Sequence, residues 1–179
     1  MRLWEAETGR PVAALQGHSG AVYSVALSAD GELLASGGFD GTVRLWETGS
    51  GRLRATLQGH TAPITVVAIS GDGRLVASGS DDATVRLWAT PNGLLLATLR
   101  GHDVGVWAMA LSADGRLLAS GGLDGTVRIW EVCSGVCLRT LRADRRYERL
   151  DITRLTDITA AQRSALLALG AIVHTVPTS

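Results

Sequence analysis

The chain has 179 residues, 46% of them hydrophobic, so it holds enough apolar material for a packed core. Its 17 basic residues, all arginine, balance 17 acidic ones, and zero net charge gives no bulk pull toward nucleic acid or anionic lipid. No apolar run nears the roughly 20 residues that span a bilayer, and Met1-Arg2-Leu3-Trp4-Glu5 opens no signal-peptide core. A cytoplasmic protein with no membrane or nucleic-acid partner is the expectation. In chain order, residues 1–16 predict two strands. Residues 17–58 begin with Gly17-His18. They continue as strand 21–27, a Ser28-to-Gly31 turn, strand 33–38, an Asp40-Gly41 hairpin turn, strand 42–47, a glycine-rich turn and strand 53–57. Residues 59–100 and 101–142 read the same way. After Arg142 the sequence turns charged and non-repeating. Thr159 and Gln162 then fit a capping box before a short helix to Leu169, with Leu166 and Leu167 on it and Gly170 as its stop.

The period governs everything else. Gly-His returns at residues 17, 59 and 101, 42 residues apart, and Leu-Trp or Ile-Trp returns at Trp4, Trp46, Trp88 and Trp130. A fixed period of this length marks a repeat architecture whose units stack to bury their faces. Gly-His, Ser-x-Asp-Gly, Leu-Ala-Ser-Gly and an Asp six residues before Trp together resemble the WD-repeat family of β-propellers. The residue after Trp is Glu5, Glu47, Ala89 or Glu131, never Asp, a position that varies in the family. The expected fold is all-β: a partial propeller of four-stranded antiparallel blades, with a short C-terminal helical tail. Its parts are a half blade (1–16), three complete blades (17–58, 59–100, 101–142) and an extension (143–179).

The resemblance implies one hydrogen-bonded network per blade. The sets are His18, Ser36, Asp40, Trp46; His60, Ser78, Asp82, Trp88; and His102, Ser120, Asp124, Trp130. Asp accepts, Trp Nε1 donates, and Ser does either. The same residues suggest a hydrolase triad, but three copies at a fixed period argue for a structural role and against catalysis. No metal site is expected, because Cys133 and Cys137 have no second ligand pair nearby. Cys137 takes the repeat position of Leu53 and Leu95, so it reads as a small buried hydrophobe. No cofactor is implied; no Gly-Lys-Ser/Thr accompanies the glycine-rich strings.

A non-catalytic protein-interaction scaffold or sensor is therefore expected, binding a protein or peptide. The resemblance implies two recognition positions per blade. One follows the Val or Ile that opens the first strand: Tyr23, Thr65 and Trp107. The other precedes the turn Asp: Phe39, Asp81 and Leu123. Aromatics there are efficient anchors.

Met1 sits where the repeat has a strand valine, so further blades are expected from upstream sequence or self-association. The tail is similar to extensions that end bacterial WD-repeat proteins, and it is expected to dock on the blades. The chain is then expected to be the C-terminal part of a larger bacterial signalling or regulatory protein. The alternatives are a truncated gene product and a regulatory propeller of a kinase or nucleotide-switch ATPase. The arginine-only basic set fits a GC-rich genome.

Overall fold

The computed structural model describes residues 1–142 and residues 159, 160, 162, 164 and 167. Fourteen strands follow in order: β1 (Arg2–Trp4), β2 (Pro11–Ala14), β3 (Val22–Leu27), β4 (Leu33–Gly38), β5 (Val43–Glu47), β6 (Leu53–Leu57) and β7 (Ile64–Ile69). Then come β8 (Leu75–Ser80), β9 (Thr84–Ala89), β10 (Leu94–Arg100), β11 (Val106–Leu111), β12 (Leu117–Gly122), β13 (Thr126–Glu131) and β14 (Cys137–Arg142). They form one two-stranded sheet, β1-β2, and three four-stranded meanders, β3 to β6, β7 to β10 and β11 to β14. Every pairing in the register is antiparallel. These are three propeller blades and the outer half of a fourth.

Neighbouring blades pack face to face. Leu33, Val43, Leu45 and Leu57 of the first complete blade meet Ile64, Val67, Val76 and Trp88 of the second in one buried cluster. Val85, Leu87, Leu99, Val106, Leu118 and Trp130 repeat this between the second and third blades. Trp46 packs with Leu15 and Leu34, where Leu3 and Ala13 of the half blade meet the first complete one. Each of these tryptophans thus faces the preceding blade. The first strands are also stitched together. Val67 N–H donates to Ser24 Oγ at 3.1 Å, and Thr65 Oγ1 donates to Val106 O.

The ends of the array show the cost of lacking a neighbour. Val67 is 5% exposed, whereas Val25, one repeat earlier, is 53% exposed. Leu99 is 3% exposed, whereas Leu141, one repeat later, is 52% exposed. Leu27 is exposed too, as is Trp4, the counterpart of the buried tryptophans.

A compact unit covers Met1–Leu141, and a second covers Arg142–Ser179. In the second, Ala160, Gln162, Ser164 and Leu167 are helical. Thr159 N–H donates to Gln162 Oε1 at 2.8 Å, and Gln162 N–H donates to Thr159 Oγ1 at 3.2 Å, the reciprocal bonds of a capping box. Leu166, Leu169 and Gly170 lie outside the described residues, as do residues 143–158.

One turn departs from its repeat. Gly41 and Gly125 hold φ near +70°, and the equivalent residue in the middle blade is Ala83, at φ 65°. A side chain there crowds the backbone, and glycine does not. Ala83→Gly is expected to raise stability by about 1 kcal/mol. Chemical denaturation of both proteins checks it; a lower midpoint for the variant rejects strain at this turn.

Candidate functional site

The second and third strands of each blade bring the predicted polar sets together at its Gly-His end. Trp46 Nε1–H donates to Ser36 Oγ at 2.8 Å, and Ser36 Oγ lies 2.8 Å from His18 Nε2. His18 Nδ1 lies 2.9 Å from Asp40 Oδ2. The same chain runs through Trp88, Ser78, His60 and Asp82, with steps of 2.8, 2.9 and 2.7 Å. It runs again through Trp130, Ser120, His102 and Asp124, with steps of 2.8, 2.8 and 2.9 Å.

The protons run in one direction along each chain. A neutral imidazole donates from one nitrogen only. With Nδ1–H given to the aspartate, Nε2 accepts the serine O–H, and the serine oxygen accepts the indole N–H. Every polar atom along the line is used. The aspartate also closes the turn, taking bonds from Thr42 Oγ1 in the first blade and from Ser19 N–H in the Gly-His loop.

Gly-His has a packing cause. A Cβ at Gly17 would stand 2.6 Å from Arg44 Nη1 and 3.1 Å from Trp46 Cη2, and Gly59 and Gly101 are crowded by Arg86 and Arg128 in the same way. Glycine lets the loop lie over the tryptophan, where a larger residue would displace the arginine head and crowd the indole.

Burial and hydrogen bonding oppose each other at these groups. Burial pushes His60 below its ordinary value, against the pull of Asp82. Burial alone would raise Asp40, but bonds from Thr42 and His18 outweigh it and hold the carboxyl at about 2. Asp82 and Asp124 are lowered by the same balance.

Both kinds of shift act with one sign. A lowered His and a lowered Asp each bind more protons when unfolded, so stability rises with pH. Stability is complete above the ordinary histidine value of 6.5. It is expected to decline as pH falls below that value, and again below the ordinary carboxylate value of 3.8 toward about 2. Thermal melts across pH check this, with His60→Gln flattening the upper step. A melting temperature that rises from pH 7 to 5 contradicts it.

The recognition positions fall at the same end. Phe39 N–H bonds Ala21 O at 2.8 Å, Asp81 N–H bonds Pro63 O at 3.1 Å, and Leu123 N–H bonds Gly105 O at 3.0 Å. These turns are thereby tied to the Gly-His loops, and all three side chains are exposed. Tyr23, Thr65 and Trp107 each occupy a β-bulge, because the register shifts between Val22 and Ser24, Ile64 and Val66, and Val106 and Ala108. A bulge re-aims a side chain out of the pleat. The apolar runs in the sequence carry no sign of it.

Tyr23 and Trp107 are exposed, but Thr65 is not. Its hydroxyl is spent on Gly79 O at 3.0 Å and on Val106 O of the next blade, so Thr65 lines the packed inner wall and is unavailable to a partner. Cys137 is half-buried against the second core cluster and not interior, because fourth strands are the outermost of each blade. Among the described residues no three His, Cys, Asp or Glu side chains are grouped to hold a metal ion. No helix among them is long and apolar enough to cross a membrane.

No curated protein sequence matches the chain. The solved structure of U3-55K is similar over 72% of this chain and 41% of that one, with 26% identity and a TM-score of 0.70. The chain thus spans less than half the length of that structure. The family model for the WD domain, G-beta repeat, matches residues 9–47, 51–89 and 93–131, more than half the chain. Each match starts one strand ahead of a blade, so a sequence repeat supplies the outer strand of one sheet and three strands of the next. The chain belongs to the WD40 family, the WD domain or G-beta repeat.

Proposed function

We infer that the protein is a non-catalytic scaffold or sensor that holds a protein or peptide on the Gly-His end of its blades. The bulge in the first strands carries this reading, because it turns Tyr23 and Trp107 outward at the end where Phe39, Asp81 and Leu123 stand. The serine of each network supports the non-catalytic part. Ser36, Ser78 and Ser120 are buried, and each oxygen already accepts an indole N–H. A nucleophile needs access to its substrate. The free thiols of Cys133 and Cys137 fit a reducing compartment such as the cytoplasm.

A second inference concerns the uncovered faces. Val25, Leu27 and Trp4 at one end, and Leu141 at the other, occupy positions that blade packing covers elsewhere. In the working protein we place further blades there, from a longer polypeptide or from self-association.

Photo-reactive residues at positions 39 and 107, set against controls at 30 and 114 on the opposite turns, test the main reading in the cell of origin. Adducts are expected from the first pair alone. Adducts from the controls alone, or equally from both, reject this end as the binding surface.

A further inference from the structure

Trp107 is 56% exposed, yet its indole is fixed. Nε1–H donates to Asp81 Oδ1 at 3.0 Å, a bond between adjacent blades. Gly105 lies beneath the pair, where a Cβ would stand 2.5 Å from Asp81 Oδ1 and 3.1 Å from Trp107 Nε1. The carbonyl of Gly105 holds the turn bearing Leu123, which is 68% exposed, and Val104 beside it is exposed too. The outcome is an ordered apolar patch with one carboxylate set against an indole. An exposed tryptophan that is already positioned loses little entropy on binding.

The loops and turns at this end carry charge of one sign, and the exposed Arg100 and Arg142 end the fourth strands beside them. The Gly-His loops and the second turns carry Asp40, Asp81, Asp82, Asp103 and Asp124, and no arginine or lysine. Arg44, Arg86 and Arg128 reach in from the third strands, but they are half-buried beneath Gly17, Gly59 and Gly101. Of the five aspartates, Asp81 and Asp103 are the exposed ones.

We propose that Asp81, Asp103, Val104, Trp107 and Leu123 form a docking site for an extended peptide carrying an arginine or lysine among apolar residues. The cation lies on the Trp107 ring and pairs with the Asp81 carboxylate, where the ring face and the negative charge attract it together. Apolar neighbours in the peptide cover Val104 and Leu123. An acidic peptide meets Asp81 and Asp103 and is rejected. The site rests on the scaffold reading and narrows its partner to a cationic one.

Selection of phage-displayed short linear peptides on the chain of residues 1–179 tests it. The expected peptides carry arginine or lysine flanked by aliphatic or aromatic residues. Citrulline in place of the arginine in a synthetic copy should weaken binding about tenfold or more, because a neutral isostere keeps the shape and loses the charge-assisted pair. Asp81→Asn keeps an acceptor for the indole, so it preserves the patch while abolishing the preference for arginine over citrulline. Trp107→Ala should weaken both peptides. Selected peptides without a cation, or arginine peptides indifferent to Asp81→Asn, overturn the cationic site and leave the scaffold reading standing. No enrichment over the Trp107→Ala protein overturns both.

Discussion

Trp88→Ala is expected to destabilise the protein by about 3–5 kcal/mol, because it empties a large buried site and breaks a buried network at once. For a domain of this size that is a fall on the order of 10 °C in melting temperature. The side chain is 2% exposed and packs with Leu33, Leu45 and Val76, so its loss leaves a cavity between two blades. Its N–H donates to Ser78 Oγ at 2.8 Å, and that hydroxyl also serves His60. Ser78→Ala alone should cost about 1–3 kcal/mol, since it strands both the indole N–H and the imidazole. Because the two residues share one network, the double variant should lose less than the sum of the two. Trp4→Ala is the control. That tryptophan is exposed, and its removal should shift stability by under about 0.5 kcal/mol. Denaturant melts of the four proteins decide the matter. Equal effects at Trp4 and Trp88 would show that the tryptophan acts through local strand propensity and not through blade packing.

The strands and networks were legible because the same local signals recur in phase. Asp-Gly turns, Leu-Ala-Ser-Gly strands and Gly-His loops each fix one element, and their spacing ties them into one unit. The strand limits at 33–38 and 53–57 coincide with β4 and β6 for that reason. What stayed hidden depends on neighbours in space. The bulge at Tyr23 leaves no trace, since Ala21 to Leu27 reads as an ordinary apolar run. Thr65 carries the same repeat position as Trp107, but its small hydroxyl reaches the next blade, whereas the indole lies at the surface against Asp81. Ala83 keeps the left-handed turn without glycine because the surrounding hairpin is fixed by Asp82 and Thr84. In each case the side chain obeys its sheet partners and the adjacent blade, and a single sequence prints neither.

Position in the array, more than residue type, decides what an apolar side chain is worth, and paired charge substitutions make this measurable. Val25 and Val67 occupy the same place one repeat apart. Val67 sits in the cluster between two blades, and Val25 faces solvent. Val67→Glu places an unpaired carboxylate among Leu45, Ile64 and Val76, and burial of such a charge costs several kcal/mol. That is on the order of the whole stability of a small domain, so the variant is expected to be unfolded or insoluble. Val25→Glu should leave the melting temperature unchanged within the few degrees that a surface substitution allows. It should also reduce self-association, because it puts a charge on an apolar end face otherwise free to pack on another molecule. Circular dichroism gives the first comparison, and light scattering against concentration gives the second. If Val25→Glu unfolds the protein as Val67→Glu does, the face at Val25 is covered in the native state, and the end of the array is sealed by contacts within the folded protein.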